Sequence, residues 1–212
     1  MVVTATEWEG RAVRRALRRE IGRGLARVET CGIGPDAAAR LCARLESEPA
    51  PERLALVGWA GGLAPGLDVG HVVVADCALD EAGRRAPCLA LELAGARIGP
   101  VLTVAEALCD PAAKRATALA SGALAVEMEA YPLAAWAAER GIPFLHLRLI
   151  SDGPDDALPD HTPVLDPLGR LRPAALMARP RLALSLARLA LRLARLQRRL
   201  GDLARVAVTA GG

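Results

Sequence analysis

The stretch ALAVEMEA at residues 123–130 passes directly from an apolar run into two glutamates that lie two positions apart. Its apolar part predicts a strand over 123–128, and the residues that follow predict a helix over 131–140 that ends at Gly141. A second apolar strand is predicted at 144–150. A strand, a helix and another strand in this order are typical of an α/β fold.

The same alternation continues towards the N-terminus. Strands are predicted at 2–6, 25–30, 54–57, 69–75 and 98–104, and helices at 9–21, 35–45 and 112–122. The segment GWAGGL at 58–63 is rich in glycine, so we predict a loop there. The pattern predicts a three-layer α/β/α sandwich with a mixed central sheet, in which ligands lie beyond the carboxyl ends of the strands.

The composition fits one large domain built on small aliphatic side chains. Of the 212 residues, 52% are hydrophobic and only 2% are aromatic, so Ala, Leu and Val must form the core. We see no apolar run long enough to cross a membrane and no signal-peptide pattern. The five cysteines include no CxxC pair, and the three histidines have no metal-ligand spacing. We therefore expect a cytoplasmic protein without disulfides, metal or cofactor.

Acidic side chains follow two of the predicted strands. Glu127 and Glu129 share a face if their strand is regular, and Asp152 follows Ser151 at the end of the apolar strand. Cleavage of an N-glycosidic bond needs such groups, because carboxylates can grip the ribose and an acid can protonate the departing base. Solvated strand ends and a Ser-Asp turn are the simpler alternatives.

Several motifs resemble one enzyme superfamily, that of the purine nucleoside phosphorylases and the methylthioadenosine/S-adenosylhomocysteine nucleosidases. They are collinear over about residues 2–160 and comprise the segments 4–9, 32–34, 58–63 with 69–70, 125–130, 141–144 and 148–152. One such motif would be weak evidence, but several in the same order are strong. The resemblance implies the nucleoside phosphorylase type of α/β fold and a catalytic domain over 1–172.

The resemblance also implies roles for individual residues. Glu129 would hold the ribose 2′ and 3′ hydroxyls, and Met128 would pack against the sugar. Asp152 would protonate or hydrogen-bond N7 of the purine, with Ser151 orienting it. Glu9 matches the nucleosidase glutamate that positions the attacking water.

Other positions would complete the pocket or depart from the family pattern. Leu108 and Cys109 fall where the family has an aromatic residue and a backbone clamp for the base. Tyr131 could line the pocket mouth, and Gly61 could help to cradle an anion. Trp59 stands where relatives place Ser or Thr near the nucleophile. Because Glu9 is retained and the hydroxyl at 59 is lost, we favour hydrolysis, with inorganic phosphate as a possible co-substrate for the alternative, phosphorolysis.

A narrower resemblance concerns the 5′ substituent of the nucleoside. The segments 106–114, 121–129, 150–152 and 156–159, with an Arg/Leu-rich C-terminal helix, resemble the hopanoid-associated branch of the superfamily. That branch implies removal of adenine from adenosylhopane, whose 5′ carbon bears a triterpenoid lipid. A small methylthioadenosine-like nucleoside is the second substrate class, and a membrane-peripheral binding protein without catalysis is the alternative of a different kind.

The C-terminal residues 173–212 form a basic tail of a different character. Their eight arginines and single aspartate give +7, against −4 for residues 1–172. A helix is predicted over 181–200, ending at Gly201, with Arg188, Arg192, Arg195 and Arg199 in one stripe beside a leucine stripe. It could pack on its own domain, form a contact in a homo-oligomer, or lie on an anionic membrane. We find no nucleic-acid motif.

Overall fold

The chain alternates strands and helices, as predicted. The computed structural model describes residues 1–160, 164–166, 168, 170 and 172–209. The strands in this part of the chain are β1 (Val2–Thr4), β2 (Val28–Thr30), β3 (Leu54–Gly62), β4 (Val72–Leu79), β5 (Arg85–Pro87), β6 (Ala96–Thr103), β7 (Ala125–Glu127) and β8 (Phe144–Asp152). The helices are α1 (Glu7–Ala16), α2 (Arg18–Gly22), α3 (Pro35–Leu45), α4 (Pro111–Ser121), α5 (Ala130–Glu139), α6 (Pro173–Met177) and α7 (Pro180–Thr209).

One mixed sheet organises the fold. β3 runs parallel to β1 and β8 and antiparallel to β7. The strand order is β2-β1-β3-β7-β6-β4-β5, and β8 pairs with both β3 and β4. The predicted α/β fold with a mixed central sheet is confirmed. In addition, β3, β7, β6, β4 and β8 pair in a closed ring, so the ends of several strands meet around β3.

The glycine-rich segment that follows residue 57 is strand and not loop, so the prediction there was wrong. β3 continues to Gly62 and pairs with β8 along its length, with Gly58 opposite Arg148 and Gly61 opposite Asp152. The glycines leave room for neighbouring groups: a Cβ on Gly58 would lie 2.4 Å from Glu9 Oε1. Glycine is used here for close approach and not for a turn.

The first helix also begins earlier than predicted, at Glu7 instead of residue 9. Thr6 caps it by accepting a hydrogen bond from the Glu9 N–H, while the Glu9 carboxylate accepts from the Thr6 N–H. This reciprocal capping box satisfies backbone donors that the helix itself leaves free. The predicted single helix is divided in two at Leu17, which separates α1 from α2.

Two differences concern strands. β4 runs to Leu79, beyond the predicted end, and forms a hairpin with β5, which we did not predict. β2 begins at Val28, because Leu25, predicted as its first residue, is exposed at 69% and lies outside the sheet. The first difference is a missed strand as well as a boundary error, the second is a boundary error only, and neither changes the fold class.

The C-terminal helix α7 continues nine residues past its predicted end at 200, to Thr209. Gly201 does not stop it, because this glycine lies against α1: a Cβ there would lie 2.8 Å from the Ala16 Cβ. Leu200 and Leu203 are buried in the core beneath α1. The second half of α7 therefore packs on its own domain. No helix in the described ranges is long and apolar enough to cross a membrane.

Candidate active site

Buried charged side chains collect around the second half of β3. They come from strands paired with β3 and from helices packed near it, and they are Glu9, Lys114, Glu127, Glu129, Arg148 and Asp152. Charged groups are rarely buried unless they are paired, because removing them from water is costly. Their contacts divide them into two groups along β3.

The first group surrounds Arg148, which lies on β8 opposite Gly58. The Arg148 Nη2 atom donates to the carboxylates of Glu127 and Glu129, in the second case at 3.4 Å. Burial alone would lower the pKa of Arg148, but Glu127, Glu129 and Glu9 more than offset this, so its pKa is raised. On the other side, Arg148 Nε donates to His146 Nε2 at 2.7 Å. The guanidinium is thus charged and held from both sides.

Glu127 has little capacity left for a ligand. Its carboxylate accepts from Arg148, from the Thr103 hydroxyl, and from the N–H groups of Glu129 and Ala130 at 2.9 Å each. The two N–H groups stand at the start of α5, where helical donors have no partner in the helix. The structure therefore uses Glu127 to fix Arg148 and the start of this helix. Glu127 as a substrate-binding residue stays a prediction, and all the contacts described here are to the protein itself.

Glu129 differs from Glu127 because its carboxylate is sparsely bonded. One oxygen accepts from the Gly34 N–H at 3.0 Å and the other only weakly from Arg148. A carboxylate offers about four acceptor positions, so capacity remains for hydroxyl groups. Burial first, and then the neighbouring Glu127, raise the pKa of Glu129 to about 8. Of the two glutamates, Glu129 is the one with free acceptor positions.

Glu9 reaches the same cluster from α1. It is 2% exposed, and its Oε1 atom accepts from the backbone N–H of Trp59 at 2.9 Å. The other oxygen, Oε2, accepts from the N–H and the hydroxyl of Thr6. The capping box that starts α1 therefore also holds this carboxylate at β3, close to Arg148.

The second group is centred on Asp152, at the end of β8. Its Oδ2 atom accepts from Lys114 Nζ, and its Oδ1 atom lies in hydrogen-bond contact with Ser151 Oγ. Gly61 faces this carboxyl group, and a Cβ there would lie 3.1 Å from Oδ2. Gly61 is three residues beyond Gly58, so these two glycines lie about 10 Å apart along β3.

The remaining predicted site residues make other kinds of contact. Met128 and Leu108 pack against the same apolar cluster, and Leu108 also lines a surface cavity of about 360 Å³ between α4 and the β4–β5 hairpin. The Cys109 carbonyl accepts from the Leu158 N–H at 2.9 Å. The Tyr131 ring lies under the Arg84 guanidinium, 5.1 Å from it.

Trp59 is turned away from the carboxylates. Its ring lies 6.4 Å from that of Trp8 and packs on the core under α1 and α7. Only its backbone N–H contacts Glu9. The structure brings Glu9, Glu129, Gly61, Ser151 and Asp152 together along β3, and leaves Trp59 behind the strand.

Sequence reasoning missed Arg148 and Lys114 as members of the site. Arg148 stands inside an apolar strand run, which was a usable signal because an isolated charge there must find a buried partner. Lys114 gave no such signal in its helix. We find no group of His, Cys, Asp and Glu able to hold a metal ion among the residues whose structure is described.

Comparison with known proteins agrees with this architecture. The family model described as the Phosphorylase superfamily matches residues 3–93 and 88–178. No curated protein matches the chain.

Solved structures of nucleosidases share the fold. A Helicobacter pylori MTAN mutant with 5′-methylthioadenosine in its active site has a TM-score of 0.62 at 14% identity, covering 73% of this chain and 85% of its own. Futalosine hydrolase of the same organism has a TM-score of 0.61 at 15% identity, with coverage of 73% and 84%. The Streptococcus pyogenes S-adenosylhomocysteine nucleosidase has 0.57 at 21%, with 71% and 82%. With a family match across most of its length, this chain belongs to the phosphorylase superfamily.

Proposed function

We propose that this protein cleaves the N-glycosidic bond of a purine nucleoside, with water as the nucleophile. The observation that carries the proposal is that the buried charged side chains form two clusters at different positions along β3. Glu129 and Glu9 stand with Arg148 at one end, and Asp152 stands at the other. The carboxyl groups at the first end would stabilise a sugar that becomes cation-like. The acid at the second end would protonate a base that leaves with an electron pair.

Each group then has one task. Glu129 accepts hydrogen bonds from the ribose hydroxyls. As the bond between the anomeric carbon and the base breaks, both electrons leave with the base, and Asp152 gives a proton to its N7 atom. Water attacks the anomeric carbon and loses one proton to Glu9. Glu9 later releases this proton to solvent and Asp152 takes one up, so the protons balance.

The charges around Arg148 favour water over phosphate. We call the cluster around Arg148 the sugar end and the cluster around Asp152 the base end. The Arg148 guanidinium is the cation of the sugar end, and Glu9, Glu127 and Glu129 already offset its positive charge. An incoming phosphate dianion would meet these carboxylates at short range, which is repulsive in a poorly solvated site. Phosphorolysis is the alternative, with inorganic phosphate as co-substrate and no other cofactor.

For the 5′ substituent we propose a lipid, with adenosylhopane as the first candidate on the narrower family resemblance. The first half of α7 supports this proposal. Its arginines at 188, 192 and 195 are exposed, and Leu184 and Leu191 are 57% and 65% exposed beside them. A basic helix with apolar side chains suits the headgroup region of an anionic membrane. Residues 1–172 would then be the catalytic domain and 173–212 a tail that brings it to the lipid.

A product assay tests the reaction. Purified protein is expected to release adenine and a free sugar from 5′-modified adenosines, at a rate independent of added phosphate. Appearance of a ribose-1-phosphate product would establish phosphorolysis. Asp152→Asn is expected to lower turnover by about 10²- to 10⁴-fold, the range of general acid catalysis. Wild-type protein that binds these nucleosides without cleaving them would favour the non-catalytic alternative.

A vesicle assay tests the tail. The triple variant Arg188→Gln, Arg195→Gln, Arg198→Gln should lose binding to anionic vesicles while keeping turnover of a soluble nucleoside. Arg192 is left unchanged because its guanidinium pairs with Asp156, next to the base end. A matched control replaces Arg11, Arg15 and Arg18, which lie in the N-terminal helical region. If binding is unchanged in the tail variant but the oligomeric state changes, α7 serves a homo-oligomer contact instead.

A further inference from the structure

Lys114 is the one lysine of a chain in which Lys and Arg together number 27. It lies on α4 and has no exposed surface. Every other basic residue of the chain is an arginine, including the buried Arg148, so the lysine at 114 must be explained by its local environment. That environment is the carboxyl group of Asp152.

The ammonium group of Lys114 is fully bonded. Its Nζ atom donates to Asp152 Oδ2, to the Gly153 carbonyl at 2.9 Å and to the Asp156 carbonyl at 2.8 Å. An ammonium has three N–H donors, so each has an acceptor. Only one of the three acceptors is a side chain that can carry charge. The lysine is therefore fixed in direction and placed against one oxygen of the proposed acid.

The other oxygen of Asp152 has a partner that can act as a hydrogen-bond donor or as an acceptor. Ser151 Oγ contacts both Asp152 Oδ1 and the Ala60 carbonyl, the latter at 3.1 Å. A hydroxyl has one proton and the carbonyl can only accept. When Ser151 donates to Ala60, Asp152 can donate its own proton to Ser151; when Asp152 is ionised, the hydroxyl can turn and donate to it. The heavy atoms need not move between the two states.

We propose that Lys114 is a positioning residue for the base end, which stabilises the negative charge that Asp152 acquires when it gives its proton to the departing purine. The inference rests on the proposed function and extends it to a residue outside the ligand contacts. A fixed cation next to the place where charge develops lowers the barrier, because no reorganisation is needed during the reaction. Lysine fits this position as a compact point charge, whereas the planar fork of arginine needs more room.

The test compares two leaving groups. Lys114→Met removes the charge at similar volume, and turnover is measured on methylthioadenosine and on a 4-nitrophenyl riboside, whose leaving group departs as a stable anion without a proton. We expect kcat on the adenine nucleoside to fall about 10²-fold or more, and kcat on the nitrophenyl riboside to change less than about tenfold. Arg115→Met, the exposed neighbour on α4, is the control and should change neither.

Each outcome decides between specific alternatives. Equal losses on both substrates, or no loss on either, would overturn the role of Lys114 while leaving the proposed function in place. A wild-type protein that cleaves neither these two substrates nor any other 5′-modified adenosine would overturn the proposed function itself. If Lys114→Met does not fold, Lys114→Met with Asp152→Asn replaces it, because that pair leaves no uncompensated buried charge. It should match Asp152→Asn alone on the adenine nucleoside, and a further loss would contradict the proposal.

Discussion

The two ends of the site differ in how their charges are balanced. At the sugar end, three carboxyl groups stand around the single guanidinium of Arg148, and the pKa of one of them, Glu129, is raised. At the base end, one carboxyl group meets one ammonium, in the pair of Asp152 and Lys114. An excess of negative charge favours a cation-like ribose, and a cation behind the acid favours loss of its proton. The same β-strand thus separates two electrostatic environments.

The difference also concerns how each end is built. The sugar end gathers side chains from α1, β7, β8 and the residue that precedes α5 around one residue, so its geometry depends on Arg148. The base end is more local, since Ser151 and Asp152 are consecutive and Lys114 also binds the carbonyls of the following loop. We therefore expect the sugar end to be the more sensitive of the two to a single substitution.

Removal of Arg148 should have the largest effect. Arg148→Met leaves buried carboxylates without their cation, and breaking a buried ion pair in this way typically costs about 3–5 kcal/mol. Unfolding in urea, followed by circular dichroism, measures this cost. Arg115→Met breaks the exposed ion pair with Asp155 and should cost less than about 1 kcal/mol. Similar losses in the two variants would show that Arg148 does not organise the sugar end.

Gly61→Ala should have an intermediate effect and act on the base end. The added Cβ would lie 3.1 Å from Asp152 Oδ2 and 3.2 Å from Val126 Cγ1, so both groups must shift. Overpacking of this kind typically costs about 1–3 kcal/mol. Turnover of an adenine nucleoside should fall more than that of a nitrophenyl riboside. The control Gly22→Ala has nothing within 4 Å of its Cβ and should leave both rates intact.

Glu129 gives a prediction of a different kind, a dependence of stability on pH. Its pKa in the folded protein is raised by burial to about 8, above the value near 4.3 expected in the unfolded chain. Between these values the folded state holds a proton that the unfolded state has lost. The free energy of unfolding should therefore fall as pH rises through this window, by at most about 1.4 kcal/mol per pH unit.

Glu129→Gln should remove this contribution, because the amide does not titrate. Urea unfolding at pH 6 and pH 9 gives the comparison, with Glu139→Gln on the exposed end of α5 as the control. An unchanged pH dependence in Glu129→Gln would mean that the buried carboxyl is ionised throughout, and the contrast between the two ends would then be stronger than proposed.

The glycines of β3 show where sequence reasoning reaches its limit. Local composition favours a loop over residues 58–63, because glycine has no side chain to pack in a strand. In the folded protein that space is filled by other residues, Glu9 and Arg148 at Gly58 and Asp152 at Gly61. A contact between residues fifty to ninety positions apart leaves no trace in a local pattern. The same reason explains why local sequence predicts a helix end at Gly201, which in the folded protein lies against α1.

The sequence by itself determined the fold class and the main chemical groups. Alternating apolar strands and helices predicted the mixed α/β fold, and acidic residues at strand ends identified Glu129 and Asp152. Those signals are local, so they can be read along the chain. Tertiary structure decided what each acid can do. It fills the hydrogen-bond acceptor positions of Glu127, leaves some of those of Glu129 free, and places Lys114 against Asp152. Local sequence does not show this, because burial and ion pairing depend on which distant residues share the space around β3.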